Sequence, residues 1–278
     1  MSGLHSSWVG RSWTAEDFLT PGVIEAFCAV FDWNEDGSAG SPIPLGGHWL
    51  LAPPRAPSAA LGVDGHPRRG SQLPPIDAKR RMWAGSRMQF LRPLIVGELC
   101  RRTSVIVDVN CKEAPHGPLW LVEVEHVIET CGEPAVHEVQ TIAYTDAPPG
   151  AAPSRRPGFE PQATSIKVPD EVLLFRYSAL TFNSHRIHYD LPYASQQEGY
   201  PGLVVHGPLT ATFLLHFCRS MFGGRPIRAF SFRGVRPAFA GEPMQLVGRE
   251  SAEGVELAAL NSNGECVMMA NAELDAKS

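Results

Sequence analysis

A seven-residue pattern occurs twice in this chain, 144 residues apart. Arg92–Glu98 reads RPLIVGE, and Arg236–Glu242 reads RPAFAGE. Each copy follows an apolar run that contains an arginine, and each precedes several segments with the alternation of β-strands. A short pattern can recur by chance, but the shared position within each half favours duplication. The sequence therefore predicts two related halves, each ending in an antiparallel sheet.

A proline-rich segment separates these halves. Residues 146–163 read DAPPGAAPSRRPGFEPQA, with five prolines and few large apolar side chains. Such a composition is typical of a linker. We therefore expect a first half over residues 1–145, a linker over 146–163 and a second half over 164–278.

Each half has a predicted helical part and a predicted strand part. In the second half, Pro208–Phe222 is apolar on most faces, begins with a proline suited to a first helical turn and ends before Gly223-Gly224, so we expect a long buried helix. The other predicted elements of this half are a helix over Asp170–Leu180, a short helix over Pro192–Glu198, and strands over Ile227–Val235, Pro243–Arg249, Val255–Asn261 and Cys266–Leu274. In the first half we expect a helix over Ala15–Phe31, either continuous or broken at Pro21, with strands over Met88–Leu91, Arg101–Val109, Leu119–Glu129 and Val136–Thr145. The segment Ala52–Pro75 has no counterpart of equal length and is predicted to be a flexible loop over a binding site.

Composition excludes some classes of partner. Of the 278 residues, 44% are hydrophobic and 19% charged, and the formal net charge is −5, so the chain carries no basic field for nucleic acid or an anionic membrane. The N-terminus lacks the apolar segment of a signal peptide, and the six scattered cysteines include no CxxC pair. We therefore expect a cytoplasmic protein with reduced thiols.

The segment Phe175–Leu209 carries the groups best suited to chemistry. Asn183 lies five residues before His188, and His206-Gly207-Pro208 opens the predicted long helix. An imidazole can move a proton at neutral pH, and the N–H groups of a helix N-terminus can hold a developing negative charge. The combination indicates chemistry beside a carbonyl group.

Two stretches of this segment resemble a known family. FNSHRIHYD at 182–190 and YPGLVVHGP at 200–208 resemble the MaoC-like enoyl-thioester hydratases, and within them the branch of hydroxyacyl-thioester dehydratase type 2 and 3-methylfumaryl-CoA (mesaconyl-C4-CoA) hydratases. The resemblance implies an α+β double hot-dog fold: two tandem halves, each with a long helix wrapped by an antiparallel sheet. The first half would be degenerate, of the FAS1-like dehydratase type, because no N-x4-H pattern precedes its Gly46-Gly47-His48-Trp49 segment.

The family pattern is D-x-N-P-x-H, and this chain departs from it at Asn183. Because an amide cannot take up a proton at neutral pH, His188 would be the sole general base, and Asn183 would orient water or substrate. The resemblance assigns the thioester oxygen to the backbone N–H of Gly207. We expect His188, Asn183 and Gly207 to be the catalytic residues.

Candidate substrate-binding residues flank these three: Arg176, Tyr177, Arg186, His206 and Thr212. Arg176 and Arg186 would either pair with Glu171 and Asp190 or hold a carboxylate of the substrate. Thr212 would replace a serine that some relatives carry nearby, and His206 would shape the turn before the helix.

No metal or redox cofactor is expected. The spacing of His185, His188 and Asp190 fits no common zinc pattern, and in the implied chemistry the thioester itself accepts the electrons. Coenzyme A would be part of the substrate, and we expect a homodimer.

The resemblance implies a hydro-lyase that adds water across the 2,3 double bond of an enoyl-CoA. The preferred substrate is a short branched or dicarboxylic acyl group such as 3-methylfumaryl (mesaconyl). One alternative is a 3-hydroxyacyl-thioester dehydratase for longer chains on coenzyme A or acyl carrier protein. The other is a non-catalytic acyl-thioester-binding module.

Overall fold

The computed structural model describes residues 5–150 and 153–275, so two residues of the predicted linker lie outside it, as do both termini. Ten strands form one antiparallel sheet in the order β1-β3-β4-β5-β2-β7-β10-β9-β8-β6. The strands are β1 (Ser12–Asp17), β2 (Arg80–Phe90), β3 (Cys100–Lys112), β4 (Leu119–Thr130), β5 (Glu133–Thr145), β6 (Ala163–Lys167), β7 (Ile227–Gly234), β8 (Met244–Ser251), β9 (Gly254–Leu260) and β10 (Cys266–Leu274).

The order of strands is the same in both halves. The first half runs β1-β3-β4-β5-β2 across the sheet, and the second runs β6-β8-β9-β10-β7. The two RPxxxGE segments follow β2 and β7, which pair with each other where the halves meet. At this junction Gly85 has no room for a side chain, because a Cβ atom there would overlap the Phe232 carbonyl oxygen. The repeated order supports duplication, whereas the boundaries at 145 and 164 stay a prediction, since the sheet is continuous.

Four α-helices accompany the sheet in the described residues: α1 (Pro21–Phe31), α2 (Glu171–Leu180), α3 (Leu191–Gln196) and α4 (Gly207–Met221). The long helix α4 lies against β7, β8, β9, β10 and β2, and nine of its side chains are buried. The three helices of the second half confirm the predicted ones to within two residues. None of the helices in the described part of the chain is long and apolar enough to cross a membrane.

The first half differs from the prediction at its N-terminal end. The predicted helix over Ala15–Phe31 is wrong in its first part, because Ser12–Asp17 forms the edge strand β1 and pairs with β3. The helix begins only at Pro21, where the Thr20 side chain accepts a hydrogen bond from the Val23 N–H (3.3 Å). Pairing with β3 satisfies the backbone hydrogen-bonding groups of Ser12–Asp17, so these residues do not need helical hydrogen bonds.

The first half also lacks a counterpart of α4. The expected place of that helix holds only a 3₁₀ turn, Gly47–Leu50, and Pro53, Pro54 and Pro57 follow it. Proline lacks a backbone N–H and obstructs the preceding turn, so a helix cannot continue through this segment. The fold is thus a double hot-dog arrangement in which one of the two long helices is missing. This absence leaves one face of β2, β3, β4 and β5 uncovered by a long helix.

Candidate active site

A cavity of about 930 Å³ lies between the first-half sheet and the segment 175–208. On one side it is lined by Tyr177, Asn183, His188, His206 and Gly207, and on the other by side chains of β2, β3, β4 and β5. Residues of the predicted loop Ala52–Pro75 also line it, which agrees with the predicted position of that loop over a binding site. The position of the cavity follows from the missing first-half helix.

His188 is held as a neutral base on the wall of this cavity. Its ring follows a short 3₁₀ turn, Arg186–His188, and Nδ1 lies 2.7 Å from the Val204 carbonyl oxygen. Because that oxygen can only accept, Nδ1 carries the proton and Nε2 keeps its lone pair. This tautomer is the one that a general base needs.

The surroundings of His188 keep it uncharged. Burial lowers the pKa of His188 well below its usual 6.5, and the neighbouring His206 and His185 lower it further. The His206 ring stacks on it with centroids 3.6 Å apart, and its own pKa is lowered to about 3 by burial. The Ser178 hydroxyl, 2.8 Å from His206 Nε2, fixes the second ring. A positive charge on either ring would therefore be costly.

The lowered pKa of His188 predicts the acid side of the pH–rate profile. Only neutral His188 can accept a proton, so activity is lost where the ring becomes protonated, and a lowered pKa moves that loss to lower pH. We expect kcat/KM for enoyl-CoA hydration to keep its plateau through pH 6.5 and to fall only below it. A midpoint at or above 6.5, in a protein whose circular dichroism shows it still folded, would contradict this assignment.

Asn183 presents a donor to the cavity. Its Oδ1 accepts a hydrogen bond from the His185 backbone N–H (3.0 Å), which leaves the amide Nδ2 to donate. The preceding Phe182 adopts a left-handed conformation (φ 50°), and this turns the chain so that Asn183 lines the cavity. The amide can thus orient a water molecule or a substrate oxygen.

Gly207 begins α4 and lines the same cavity. The N–H groups of a first helical turn have no acceptor within the helix, and the helix dipole gives them partial positive charge. A Cβ atom at Gly207 would approach no protein atom closer than 3.6 Å, the Trp83 carbonyl oxygen, so internal packing does not demand glycine. Glycine would be required at this position if a ligand oxygen approaches the backbone N–H closely.

The other predicted residues divide into two groups. Tyr177 and His206 line the cavity, but Arg176, Arg186 and Thr212 do not. Arg176 is exposed on α2, although its neighbours Phe175 and Tyr177 both line the cavity. That Arg176 contacts the substrate stays a prediction, which its position outside the cavity lining does not support.

Arg186 and Thr212 are both occupied by local contacts. Arg186 pairs with Asp190 (2.6 Å), stacks over Tyr193 and donates to the Val63 carbonyl oxygen (3.1 Å). Thr212 donates to the Pro208 carbonyl oxygen (2.8 Å), and Thr210 lines the cavity in its place. The substrate-binding roles expected of Arg186 and Thr212 stay predictions, which these local contacts do not support.

Two further groups at the site come from the loop of the first half. The His66 ring lies 4.1 Å from that of His185, between centroids, and Asp64 Oδ2 lies 3.4 Å from His66 Nδ1. Side-chain ligand atoms of Asp64, His66 and His185 lie within 4.8 Å of one another, so these three residues could reach one divalent cation. No local pattern predicts this cluster, because more than a hundred residues separate His185 from Asp64 and His66.

Known proteins share this architecture and this segment. The family model of hydroxyacyl-thioester dehydratase type 2 matches residues 46–240. The mesaconyl-C(4)-CoA hydratase of Chloroflexus aurantiacus is 42% identical over 272 residues, which cover 96% of this chain and 97% of the relative.

Solved structures resemble the fold at lower identity. HtdX of Mycobacterium tuberculosis has a TM-score of 0.71 at 20% identity and covers 95% of this chain and 100% of its own. A second M. tuberculosis protein, described as having a double hotdog fold, has a TM-score of 0.59 at 13% identity over 96% of both chains. These structures confirm the expected double hot-dog fold. The family match over more than half of the chain, together with the 42% identity, shows that this chain belongs to the hydroxyacyl-thioester dehydratase type 2 family.

Proposed function

We propose that this chain is a hydro-lyase that reversibly adds water across the 2,3 double bond of an enoyl-CoA. One observation carries the proposal. A buried neutral imidazole with a free Nε2 lines the same cavity as the N-terminus of a long helix. A base for water and a donor for an enolate oxygen are the two groups that this reaction needs.

The reaction proceeds in two proton transfers. His188 Nε2 takes a proton from water as the water oxygen bonds to carbon 3, and the electron pair of the double bond moves to carbon 2. Negative charge then develops on the thioester oxygen, where the Gly207 N–H donates a hydrogen bond, and Asn183 Nδ2 orients the water. The imidazolium returns its proton to carbon 2, which completes the addition, and the reverse sequence eliminates water.

A short branched or dicarboxylic acyl group is the preferred substrate. The relative with 42% identity over 96% of this chain is named for mesaconyl-C(4)-CoA, and this resemblance supports 3-methylfumaryl (mesaconyl)-CoA. A second candidate is a 3-hydroxyacyl-thioester dehydratase for longer chains on coenzyme A or acyl carrier protein. The family description and the 930 Å³ cavity support that candidate. A non-catalytic binding module is less well supported, because His188 retains a usable lone pair.

A panel of enoyl-CoA thioesters tests the proposal. We expect the purified protein to hydrate 3-methylfumaryl-CoA with the highest kcat/KM, followed by absorbance of the conjugated thioester. Faster hydration of crotonyl-CoA and longer alkyl enoyl-CoAs would favour the dehydratase candidate. Hydration of no member of the panel would remove the enzyme assignment.

The chain is further proposed to act without a cofactor, in the cytoplasm and as a homodimer. The first proposal rests on His188, Asn183 and Gly207, which supply base, orienting amide and oxyanion donor from the chain itself. It predicts that exhaustive dialysis against EDTA leaves the hydration rate within twofold of its starting value. A larger loss, restored by a divalent cation, would implicate Asp64, His66 and His185.

The proposed homodimer is supported by the edge strands β1 and β6, which can pair with a second copy of the chain. Analytical ultracentrifugation tests this self-association directly.

A further inference from the structure

The wall of the cavity opposite His188 is unexpectedly polar. His48, Arg102 and Glu138 line it, and we call these three residues the acyl-end cluster. His48 is 4% exposed and Glu138 is 2% exposed. Burying such groups costs free energy unless they are fully paired, so an alkyl-binding tunnel would not be expected to carry them.

The acyl-end cluster is held in place by neighbouring groups. The Glu138 carboxylate accepts hydrogen bonds from Trp49 Nε1 (3.2 Å) and Gln140 Nε2 (3.1 Å). The Arg102 guanidinium donates to the Leu51 and Ala52 carbonyl oxygens, at 3.1 and 2.5 Å. These bonds fix both side chains before any ligand arrives.

Two nitrogen atoms of the cluster are buried and lack a partner in the described part of the protein. Within the described residues, neither His48 Nε2 nor Arg102 Nε has a hydrogen-bond partner. His48 Nε2 lies 3.9 Å from Glu138 Oε2, beyond hydrogen-bond distance. Because Arg102 Nε is a donor and carries part of a positive charge, the ligand that fits is an acceptor with negative charge.

The cluster lies near the catalytic wall. The Trp49 ring contacts the Trp83 ring (centroids 5.6 Å apart), and the Trp83 carbonyl oxygen faces Gly207. On the other side, burial raises the pKa of Tyr177, and the charge of Glu138 contributes to this rise, so the two side chains lie within electrostatic reach. The Tyr177 ring in turn lies 5.1 Å from that of His206. Gly207 and the acyl-end cluster therefore line the same cavity and are connected by these side-chain contacts.

We propose that the acyl-end cluster binds a carboxylate on the acyl group and so selects dicarboxylic over alkyl enoyl-CoAs. Arg102 and His48 donate to this carboxylate, and the Leu51 and Ala52 carbonyl oxygens hold the Arg102 guanidinium beside it. Burial raises the pKa of Glu138, so this carboxyl keeps a proton to higher pH than usual and opposes the ligand charge less. The inference rests on the proposed function and names the substrate class of the same site.

The test compares two thioesters that differ in one group. In 3-methylcrotonyl-CoA a methyl group replaces the free carboxylate of 3-methylfumaryl-CoA, and the measured quantity is the ratio of their kcat/KM values. We expect the wild type to favour the carboxylated thioester, and Arg102→Gln to lower the ratio about 10- to 100-fold, the worth of a charge-assisted hydrogen bond. His48→Leu lowers it about tenfold, whereas His48→Gln, whose amide N–H can replace Nε2, lowers it less.

Arg101→Gln is the matched control. Arg101 is the neighbour of Arg102 on β3, but it is exposed and pairs with Glu16 (2.8 Å). This variant keeps the ratio within twofold of the wild type. A folded Arg102→Gln protein with an unchanged ratio overturns the proposal, and if that variant does not fold, an unchanged ratio in His48→Leu overturns it.

A binding measurement on the wild type needs no variant. The saturated analogues of the two thioesters are compared as inhibitors, and the carboxylated analogue is expected to bind at least about tenfold more tightly. Equal inhibition overturns the carboxylate proposal while hydration itself still stands. Hydration of neither thioester would instead count against the proposed function, so the two failures are distinguishable.

Discussion

Replacing His188 by asparagine is expected to lower kcat/KM for enoyl-CoA hydration about 10³-fold. The asparagine amide can donate to the Val204 carbonyl oxygen in place of Nδ1, so the local fold keeps the bond that now measures 2.7 Å. The variant lacks an atom at the position of Nε2 that can take a proton from water. Steady-state kinetics with the best thioester of the panel measures the loss.

The His188→Asn result is interpretable only if the protein still binds its substrate. We therefore expect the thermal midpoint and the inhibition by a saturated acyl-CoA to stay close to wild type. His137→Asn is the matched control, since His137 pairs with Glu125 (2.9 Å) away from the cavity and should keep full activity. More than a tenth of wild-type activity in His188→Asn would show that another group is the base.

Local sequence was sufficient for most of the second half, but it did not predict the edge strand β6 (Ala163–Lys167), whose first residue had been assigned to the linker. Apolar residues at helical spacing, Pro208 in a first turn and Gly223-Gly224 after the last one predicted α4, and the strand alternation gave β7 to β10. The functional segment was found for the same reason. Asn183, His188 and Gly207 lie within 25 residues, so their order along the chain is enough to suggest a site.

The features that the sequence did not predict are determined by contacts between residues far apart in the chain. Pairing with β3 made Ser12–Asp17 a strand although its pattern also suited a helix. Thr212 was predicted to bind substrate without knowledge of how α4 is rotated about its own axis. Packing of α4 against the sheet determines that rotation. Arg102 and Glu138 lie on β3 and β5 and meet only in the folded sheet, and no pattern along either strand marks them as a pair.

The loop of the first half shows this dependence most clearly. Its tip docks on the catalytic motif of the second half: the Arg186 N–H donates to the Asp64 carbonyl oxygen (2.9 Å), and the Ser184 hydroxyl donates to that of Gly65 (2.5 Å). The docked residues lie between Asn183 and His188. The shape of the loop tip therefore determines the positions of both catalytic side chains, although the sequence places the two regions more than a hundred residues apart.

Gly65→Ala is accordingly expected to impair both stability and activity. Gly65 has a positive φ of 85°, and an added Cβ atom would overlap the Ser184 carbonyl oxygen and lie 2.9 Å from its carbon. Both obstacles are backbone atoms, so no side chain can move away, and either the loop or the segment 184–186 must shift. We expect a loss of about 3 kcal/mol in the free energy of unfolding, measured by urea denaturation. Since a displacement of about 1 Å in a catalytic group can cost 10²-fold, kcat/KM should fall by about that factor.

Gly70→Ala separates the docking contact from backbone strain. Gly70 lies in the same loop with a nearly equal φ of 87°, but its added Cβ would meet only Pro75, at 3.5 Å, an ordinary contact. This variant carries the cost of a left-handed alanine, about 1 kcal/mol, without disturbing the catalytic motif, and kcat/KM should stay within twofold of wild type. If the two alanine variants lose equal activity, the docking of the loop on Ser184 does not position His188. If only Gly65→Ala is impaired, the first half contributes to catalysis by holding the second-half motif in place.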